Sequence, residues 1–499
     1  MPVRHPDRRQ FLRSASGAIG AAVVGSGSAG GGTVGDQGGD AAPGSRRTTP
    51  ARRRFPQVAG GRPPQARRRF TSPAVERTIE RVRGELADPK LARLFENCFP
   101  NTLDTTVDVG EMDGRPDTFV ITGDIEAMWL RDSTAQVWPY LPLMEDDPGL
   151  RRLVAGVVHR QSRCILVDPY ANAFNKEPAD SPWKDDLTEM KPELHERKWE
   201  VDSLCYPIRL AHRYWRLTGD TSPFDEAWRE AMRSVLATFR EQQRKDGPGP
   251  YRFQRVTGWQ SDTVAGGGYG NPIRPVGLIV SIFRPSDDAT IFPFLVPSNH
   301  FAVVSLRQLE EMAGALGPGA DFAASCRALA DEVEAALRRY AVVQHPELGR
   351  VWAYEVDGFG NRLHMDDANV PSLLSLPYLG VCAADDPLYL RTRAFVLSEQ
   401  DPWFFRGTAA RGVGGPHTGR DRIWPLGLIM QGLTSTSDAE IGGVLGMLAS
   451  TDAGTGFMHE SFHKDDPSDF TRPWFAWANT LFGELVLKVL QERPGLVRG

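Results

Sequence analysis

The chain has 499 residues, enough for several domains, and its 41% hydrophobic and 24% charged residues are typical of a globular protein with a large core. This composition excludes a mainly disordered protein, and the formal net charge of −5 gives no basis for a nucleic-acid partner, which requires a basic surface. The five cysteines form no CxxC pair and no zinc-ligand spacing, so we expect no metal site and mostly free, buried thiols.

Residues 1–30 resemble a twin-arginine signal peptide. Arg8 and Arg9 are followed by Phe11 and a weakly apolar stretch, although Asp7 stands where such signals usually carry Ser or Thr. We therefore expect export to the periplasm or the exterior by the twin-arginine route, with a basic tail as the alternative reading. No other run approaches the ~18 apolar residues that span a bilayer, so no membrane association is expected after signal removal.

The next segment, residues 31–70, is rich in Gly, Pro, Arg and Ser and is predicted to be a disordered linker. Order is expected to begin at Ser72 and Pro73, a favourable N-cap and first-turn pair. Because no later segment has the composition of a linker, residues 71–499 are predicted to form one domain.

Helical periodicity dominates this domain. The clearest apolar runs are Val75, Ile79, Val82 and Leu86; Leu204, Ile208, Ala211 and Trp215; Leu306, Leu309, Ala313 and Leu316; and Phe322, Cys326, Leu329, Val333, Leu337 and Tyr340. Strand-like alternation is short, at residues 118–122 and 350–356, so any sheet should be a minor hairpin. Residues 474–490 are apolar on nearly every side, which is typical of a helix buried all round, as in the inner layer of a double ring. The sequence therefore predicts a mainly α protein.

Four loop segments combine acidic residues with aromatic, amide or basic ones. They are residues 128–133 (MWLRDS), 285–289 (PSDDA), 365–369 (MDDAN) and 456–462 (GFMHESF). Any single acid among them is explained as a helix cap. Together they are typical of a sugar pocket, where charged and amide groups bind hydroxyls and aromatic rings stack on sugar faces. Glycoside hydrolysis also needs two carboxyl groups that face each other.

Longer strings around these clusters resemble glycoside hydrolase family 125, the bacterial and fungal exo-α-1,6-mannosidases. They are residues 101–106 (NTLDTT), 119–132 (FVITGDIEAMWLRD), 202–207 (DSLCYP), 283–299 (FRPSDDATIFPFLVPSN), 365–379 (MDDANVPSLLSLPYL), 423–425 (IWP) and 456–477. The resemblance covers nearly all of residues 72–490. It implies an (α/α)6 toroid, which is a double ring of helices, with long functional loops. It also implies a catalytic domain that inverts the anomeric carbon, uses no metal or other cofactor, and acts on mannose-containing oligosaccharides or glycoprotein glycans.

The resemblance also assigns the two catalytic carboxyl groups. The general acid of the family lies in the PSDD string, which gives Asp287, with Asp288 as the alternative. The general base lies in the HESF string, which gives Glu460. Asp366 and Asp367 remain rival candidates for the acid.

Further residues in the matching strings are implied to bind substrate. They are Trp129, Arg131, Asp132, Asn299, His417, Trp424 and His459. Arg131 and Asp132 form a charged pair that is able to bind two neighbouring sugar hydroxyls. Asp202 is predicted mainly as a helix cap, with a position facing the pocket as the alternative.

Two other functions are weighed against this one. A toroid enzyme acting on another α-linked sugar, by hydrolysis or phosphorolysis, would share the fold, but a phosphorolytic enzyme needs no general base and Glu460 argues against it. A non-catalytic glycan-binding protein would hold mannosides without releasing product. The oligomeric state is left open.

Overall fold

The structure is a computed structural model that describes residues 61–317 and 319–498. The predicted signal peptide and most of the predicted linker lie outside the described residues. In the part of the chain that the structure describes, no helix combines the length and the apolar character needed to cross a membrane.

The domain begins earlier than the sequence predicts, because residues 61–70 pack on the helices rather than belonging to the linker. Arg62 donates from Nε to Asp104 at 2.8 Å and from Nη2 to Glu76 at 2.7 Å. The backbone N–H of Phe70 donates to the carbonyl of Leu103 at 3.0 Å. Two carboxylates that bind one arginine tie this segment to the body, a long-range contact that composition does not reveal.

The described chain is built mainly from α-helices. They are α1 (Pro73–Glu85), α2 (Pro89–Cys98), α3 (Asn101–Thr105), α4 (Leu130–Val137), α5 (Pro148–Val167), α6 (Val201–Thr218), α7 (Glu226–Glu241), α8 (Val296–Leu316), α9 (Ala320–Tyr340), α10 (Pro387–Val396), α11 (Pro425–Leu433), α12 (Asp438–Ser450) and α13 (Ala476–Glu492). The predicted start of α1 is confirmed, since Ser72 Oγ accepts the N–H of Val75 at 3.2 Å and Pro73 is the first helical residue.

The helices form an α-helical toroid, as predicted. Helix α4 packs against α6, α6 against α8, α11 against α13, and α13 returns to α4. The turns of residues 370–378 also pack against α6: Tyr206 donates to the carbonyl of Val370 at 2.8 Å, and Arg209 to that of Tyr378 at 3.3 Å. Every residue of α4 and α11 is buried. Helices α5, α7, α9 and α12 keep an exposed face, which identifies them as the outer layer.

Helix α13 confirms the expectation that its segment is buried all round. Its buried residues are Ala476, Trp477, Ala478, Asn479, Thr480, Leu481, Phe482, Gly483, Leu485, Val486, Val489 and Leu490. The four cysteines Cys98, Cys164, Cys205 and Cys326 are buried and Cys382 is half-buried, all as free thiols, which confirms that expectation too.

Sheet structure is confined to small pieces between the helices. The strands are β1 (Val107–Met112), β2 (Arg115–Val120), β3 (Met128–Trp129), β4 (Ala173–Phe174), β5 (Leu194–Glu196), β6 (Phe294–Leu295), β7 (Val342–His345), β8 (Gly349–Trp352), β9 (Glu355–Val356), β10 (Arg362–Leu363), β11 (Phe404–Arg406), β12 (Arg411–Val413), β13 (Arg422–Ile423) and β14 (Phe462–His463). They pair antiparallel in sheets of two or three strands, for example β1 with β2, β3 with β4 and β5, and β13 with β14. Several of these pairs lie directly before inner helices and fix the loops there.

Candidate active site

The loops and first turns before α4, α8, α11 and α13 surround one pocket. Its lining residues are Thr122, Ile125, Trp129, Arg131, Asp132, Pro285, Ser286, Asp287, Asn369, His417, Trp424, Glu460, Arg472, Phe475 and Trp477. The set combines four aromatic rings with carboxyl, guanidinium, amide and imidazole groups, which is the mixture that a sugar site requires. Seven of the residues singled out in the sequence meet here: Trp129, Arg131, Asp132, Asp287, His417, Trp424 and Glu460.

Asp287 projects into this pocket from a tight turn. Its N–H donates to the carbonyl of Arg284 at 2.9 Å, and its backbone has a φ of 66°, a left-handed conformation that Asp adopts more readily than most residues. Lys198 holds the turn by donating to the carbonyl oxygen of Asp287 at 2.8 Å. Arg284 anchors it from the other side through a buried ion pair with Glu355 at 2.6 Å. The Asp287 carboxyl is therefore presented on a fixed turn.

The neighbouring Asp288 is directed away from the pocket. Its side chain is 3% exposed, compared with 26% for Asp287. Asp288 Oδ1 accepts the hydroxyl of Ser261 at 2.8 Å and lies 3.6 Å from Nδ1 of His417. Geometry thus favours Asp287 over Asp288 as the carboxyl that can reach a substrate.

His417 pairs electrostatically with Asp288 while lining the pocket. Burial by itself would lower the pKa of His417, but the Asp288 carboxylate outweighs it and raises the pKa to about 9. The same pair lowers the pKa of Asp288 against the opposing effect of its burial. At neutral pH the imidazole is a cation at the edge of the site.

Arg131 is the centre of a buried cluster of carboxyl groups. Nη1 lies 2.5 Å from Glu200 and 3.3 Å from Asp202, Nη2 lies 3.1 Å from Asp287, and Nε lies 3.5 Å from Asp132. The two-pronged contact expected with sugar hydroxyls is therefore made with protein carboxyl groups, although Arg131 does line the pocket. Asp202 is a partner of this arginine and of Ser298, at 3.2 Å, rather than mainly a helix cap.

The cluster separates the proton affinities of its members. Burial raises the pKa of Glu200 well above its usual range, and it raises the pKa of Asp132 to about 6. Burial acts in the same direction on Asp287, but Arg131 and Lys198 outweigh it and lower the pKa of Asp287. The carboxyl of Asp287, which faces the pocket, is therefore more acidic than that of the buried Glu200.

Glu460 lies in a simpler environment. Thr471 donates its hydroxyl to Oε2 at 2.7 Å, and Nη1 of Arg472 lies 3.4 Å from Oε1. The loop is fixed behind it by Asn479, whose Oδ1 accepts the N–H of Met458 at 2.8 Å. The carboxylate is oriented by two contacts and faces the pocket that Asp287 also faces.

Two residues predicted to bind substrate do not line the pocket. Asn299 is fully buried, and its amide bonds to the backbone groups of Ile279 and Leu295 at 2.8 to 2.9 Å, with both of its N–H donors used. His459 accepts or donates through Nδ1 at the carbonyl of Arg472, 3.0 Å away, and stacks on Phe470 with ring centroids 4.1 Å apart. Both residues position loops, and their occurrence in matching strings reflects that task.

The rival acids are also accounted for. Asp366 accepts the N–H groups of Leu373 and Leu374 at 2.8 and 2.9 Å, and Asp367 accepts the N–H of Asn369 at 2.9 Å. Both are turn-forming carboxyls outside the pocket lining, whereas Asn369 itself reaches the pocket.

Sequence reasoning missed Arg472, Asn369 and Glu200. Arg472 and Asn369 lie inside matching strings, so the available signal was a polar side chain close to a predicted catalytic or acidic residue. Glu200 directly precedes α6 and has the position of an N-cap, yet its side chain makes no capping bond. Only its contact with Arg131 reveals its place in the site.

No group of three or more His, Cys, Asp and Glu within residues 61–317 and 319–498 is arranged to hold a metal ion. A helical toroid whose pocket places Asp287 and Glu460 beside aromatic and charged residues defines the class as a glycoside hydrolase. A bacterial glucoamylase complexed with acarbose has the same fold at 13% identity, with a TM-score of 0.51 over 84% of this chain and 58% of that one.

The family follows from closer matches. The family model described as metal-independent alpha-mannosidase (GH125) matches residues 88–487. A solved Streptococcus pneumoniae metal-independent α-mannosidase, in a non-productive complex with α-1,6-mannobiose, is 44% identical, with a TM-score of 0.82 over 85% of this chain and 100% of that one. The meiotically up-regulated gene 157 protein of Schizosaccharomyces pombe is 42% identical over 456 residues, 88% of this chain and 89% of its own length. The chain belongs to glycoside hydrolase family 125, the metal-independent α-mannosidases.

Proposed function

We propose that this α-mannosidase removes terminal α-1,6-linked mannose from the non-reducing ends of glycans, with inversion at the anomeric carbon. The observation that carries the proposal is that Asp287 and Glu460 line one pocket together with Trp129, Trp424 and Arg472. The 44% identical relative that was solved with α-1,6-mannobiose supports this linkage. Family membership favours this reading over a non-catalytic binder and over an enzyme for another α-linked sugar.

In the proposed reaction the Asp287 carboxyl donates a proton to the glycosidic oxygen as the bond to the anomeric carbon breaks. Glu460 removes a proton from a water molecule that attacks the same carbon from the opposite face. The bond to water forms while the bond to the leaving sugar is lost, so an α-mannoside gives β-mannose. Thr471 and Arg472 hold Glu460 in the orientation that this attack requires.

The aromatic side chains suit recognition of a chain end. Trp424 is fixed by donating from Nε1 to the hydroxyl of Thr418 at 2.8 Å, and Phe475 packs against it with ring centroids 6.2 Å apart. Rings held in this way offer apolar faces to a sugar, while the charged groups around them bind hydroxyls.

We also propose that the protein is exported by the twin-arginine route. The support is the arrangement of Arg8, Arg9 and Phe11 in the sequence, which lies outside the described residues. A fusion of residues 1–30 to a reporter that is active only after export as a folded protein tests this. Replacing both arginines by lysine should abolish export, and export that survives this change excludes the route.

The linkage and the stereochemistry are tested with unlabelled disaccharides. The protein is incubated with α-1,2-, α-1,3- and α-1,6-mannobiose, and released mannose is followed by NMR from the first minutes. We expect hydrolysis of the 1,6 isomer with β-mannose formed first. Preferred cleavage of another isomer contradicts the proposed linkage, and α-mannose formed first contradicts inversion.

A further inference from the structure

Glu200 is a buried carboxyl for which the two-carboxyl mechanism has no role. It is fully buried, and it accepts hydrogen bonds through Oε2 from Arg131 at 2.5 Å and from Ser203 at 2.8 Å. Its other oxygen, Oε1, is buried and accepts no hydrogen bond within the described residues. An ionised carboxylate with an unsatisfied buried oxygen is costly, whereas a protonated oxygen in that position is a donor.

The acceptor for such a proton is Asp287. The carboxyl groups of Glu200 and Asp287 are neighbours, because they contact the two terminal nitrogens of the same Arg131 guanidinium, at 2.5 Å and 3.1 Å. Two carboxyl groups can share a hydrogen bond only if one of them carries a proton. A proton on Glu200 satisfies its buried oxygen and is shared between a fully buried member and a member that is 26% exposed to the pocket.

The surrounding charges favour Glu200, the buried member of the pair, as the residue that carries the proton before substrate binds. Arg131 is shared with Asp132 and Asp202, so a single guanidinium faces four carboxyl groups. Lys198 contacts the backbone oxygen of Asp287, and the charge of His417 also acts on the Asp287 carboxyl. These positive groups stabilise the anion of Asp287, while Glu200, away from the pocket, is more costly to ionise.

This arrangement conflicts with the role of a general acid, which must carry a proton when the glycosidic oxygen binds. We infer that Glu200 stores this proton and passes it to Asp287, so that Glu200 acts as a positioning residue for the acid. The inference rests on the proposed role of Asp287. When the leaving oxygen displaces water from Asp287, the anion there loses solvation and the proton moves across the shared hydrogen bond.

The proton balance of one turnover is closed. Glu200 loses a proton to Asp287, Asp287 passes a proton to the glycosidic oxygen, and Glu460 gains one from the attacking water. After the products leave, Glu460 releases its proton to solvent and the pair of Glu200 and Asp287 takes one up. No oxidant, reductant or further reactant is required.

The test is Glu200→Gln in the full chain, because Gln keeps the shape and neutrality of a protonated Glu and cannot release a proton. On α-1,6-mannobiose we expect kcat/KM to fall about 100-fold at pH 7 and its alkaline limb to move down by at least about one pH unit. On an activated dinitrophenyl α-mannoside, which needs little protonation, the loss should be below about 10-fold. The inference is overturned if the alkaline limb of the kcat/KM profile lies at the same pH in Glu200→Gln as in the unmodified protein. The pH of this limb does not depend on how much of the variant is folded.

Two further variants separate a stored proton from a structural effect. Ser203→Ala removes a hydrogen bond to Glu200 at a similar depth but leaves the carboxyl, and its alkaline limb should not move. Glu200→Asp keeps an ionisable group on a shorter chain, and its limb should lie between those of Gln and Glu. A Ser203→Ala limb that moves as far as that of Glu200→Gln assigns the shift to packing and rejects the stored proton.

A double-variant cycle distinguishes failure of this inference from failure of the proposed function. If Glu200 acts through Asp287, adding Glu200→Gln to the Asp287→Asn variant should lower kcat/KM on mannobiose by less than a further factor of about 3. Additive losses contradict the transfer from Glu200 while leaving Asp287 as the acid. If Asp287→Asn shows no dependence on the leaving group, the acid assignment itself has failed.

Discussion

The two sides of the pocket differ in the number of charges they carry. Around Asp287 the structure gathers Arg131, Lys198 and the buried Glu200. The direct side-chain contacts of the Glu460 carboxyl, among the residues that the structure describes, are with the hydroxyl of Thr471 and the guanidinium of Arg472. A general acid must carry a proton before the reaction and release it during the reaction, and its surroundings must allow both. A general base needs only to be ionised and directed at the attacking water. The dense charge network therefore lies on the side where a proton has to be managed.

The largest effect is expected on the simpler side. Glu460→Gln keeps the contacts of the loop but removes the group that deprotonates water, so kcat should fall about 10⁴-fold for every leaving group. Initial rates on α-1,6-mannobiose and on an activated aryl α-mannoside measure this. A loss confined to the disaccharide would mean that Glu460 acts on the leaving group, and the two sides would have to be exchanged.

On the charged side, the largest expected effect is on stability. Arg131→Met leaves several buried carboxyl groups without their shared cation, which should lower the free energy of unfolding by about 3 to 5 kcal/mol at pH 7. Urea denaturation followed by circular dichroism measures this. The matched control is Arg338→Ala, whose side chain is 74% exposed and pairs with Glu334 along α9, where less than about 0.5 kcal/mol is expected. Equal changes in the free energy of unfolding for the two variants would show that Arg131 does not stabilise the buried carboxyl groups.

The acid side should also respond to the leaving group. Asp287→Asn removes the donated proton, so hydrolysis of α-1,6-mannobiose should fall about 10²- to 10³-fold, while an activated aryl mannoside should lose less than about 10-fold. Asp288→Asn is the neighbouring control, and it should show no such dependence because its carboxyl is directed at Ser261 and His417. If Asp288→Asn shows the leaving-group dependence instead, the alternative assignment is correct.

A smaller effect is expected at the rim, from the pair of His417 and Asp288. The pKa of His417 is raised from 6.5 to about 9, so the stability it contributes is fully present below pH 6.5 and is lost as the pH rises through about 9. Because the imidazole is 36% exposed, solvent screening reduces this to about 1 kcal/mol. Unfolding free energies of the unmodified protein and of His417→Gln, compared at pH 6 and pH 9.5, should converge at the higher pH. A constant difference would show that the pair contributes nothing that titrates.

No effect at all is expected from removing metal ions. The family is described as metal-independent, and no group of three or more His, Cys, Asp and Glu in the described residues is arranged to hold a metal ion. Activity on α-1,6-mannobiose should be the same before and after dialysis against EDTA. Loss of activity that calcium restores would require a metal between the two sides of the pocket.

Much of the fold was predictable because its signals are local. The N-cap at Ser72 depends on a hydroxyl and a proline in adjacent positions, and the burial of α13 follows from apolar residues on nearly every side of the helix. The acidic loop strings likewise indicated the segments that form the pocket. Short-range patterns of this kind are written in consecutive residues, so one sequence is sufficient to find them.

The tertiary structure decided what each polar residue contacts. Asp287 and Asp288 are adjacent and chemically identical, and only the left-handed turn at Asp287 directs one to the pocket and the other to His417. Asn299 was predicted to bind sugar, but it is fully buried and its amide bonds to backbone groups of Leu295 and of Ile279, which is twenty residues away in sequence. Glu200 has the position of a helix cap and becomes part of the site only because α4 brings Arg131 against it. Such roles depend on which distant groups compete for a hydrogen bond or a charge, and that competition exists only in the folded chain.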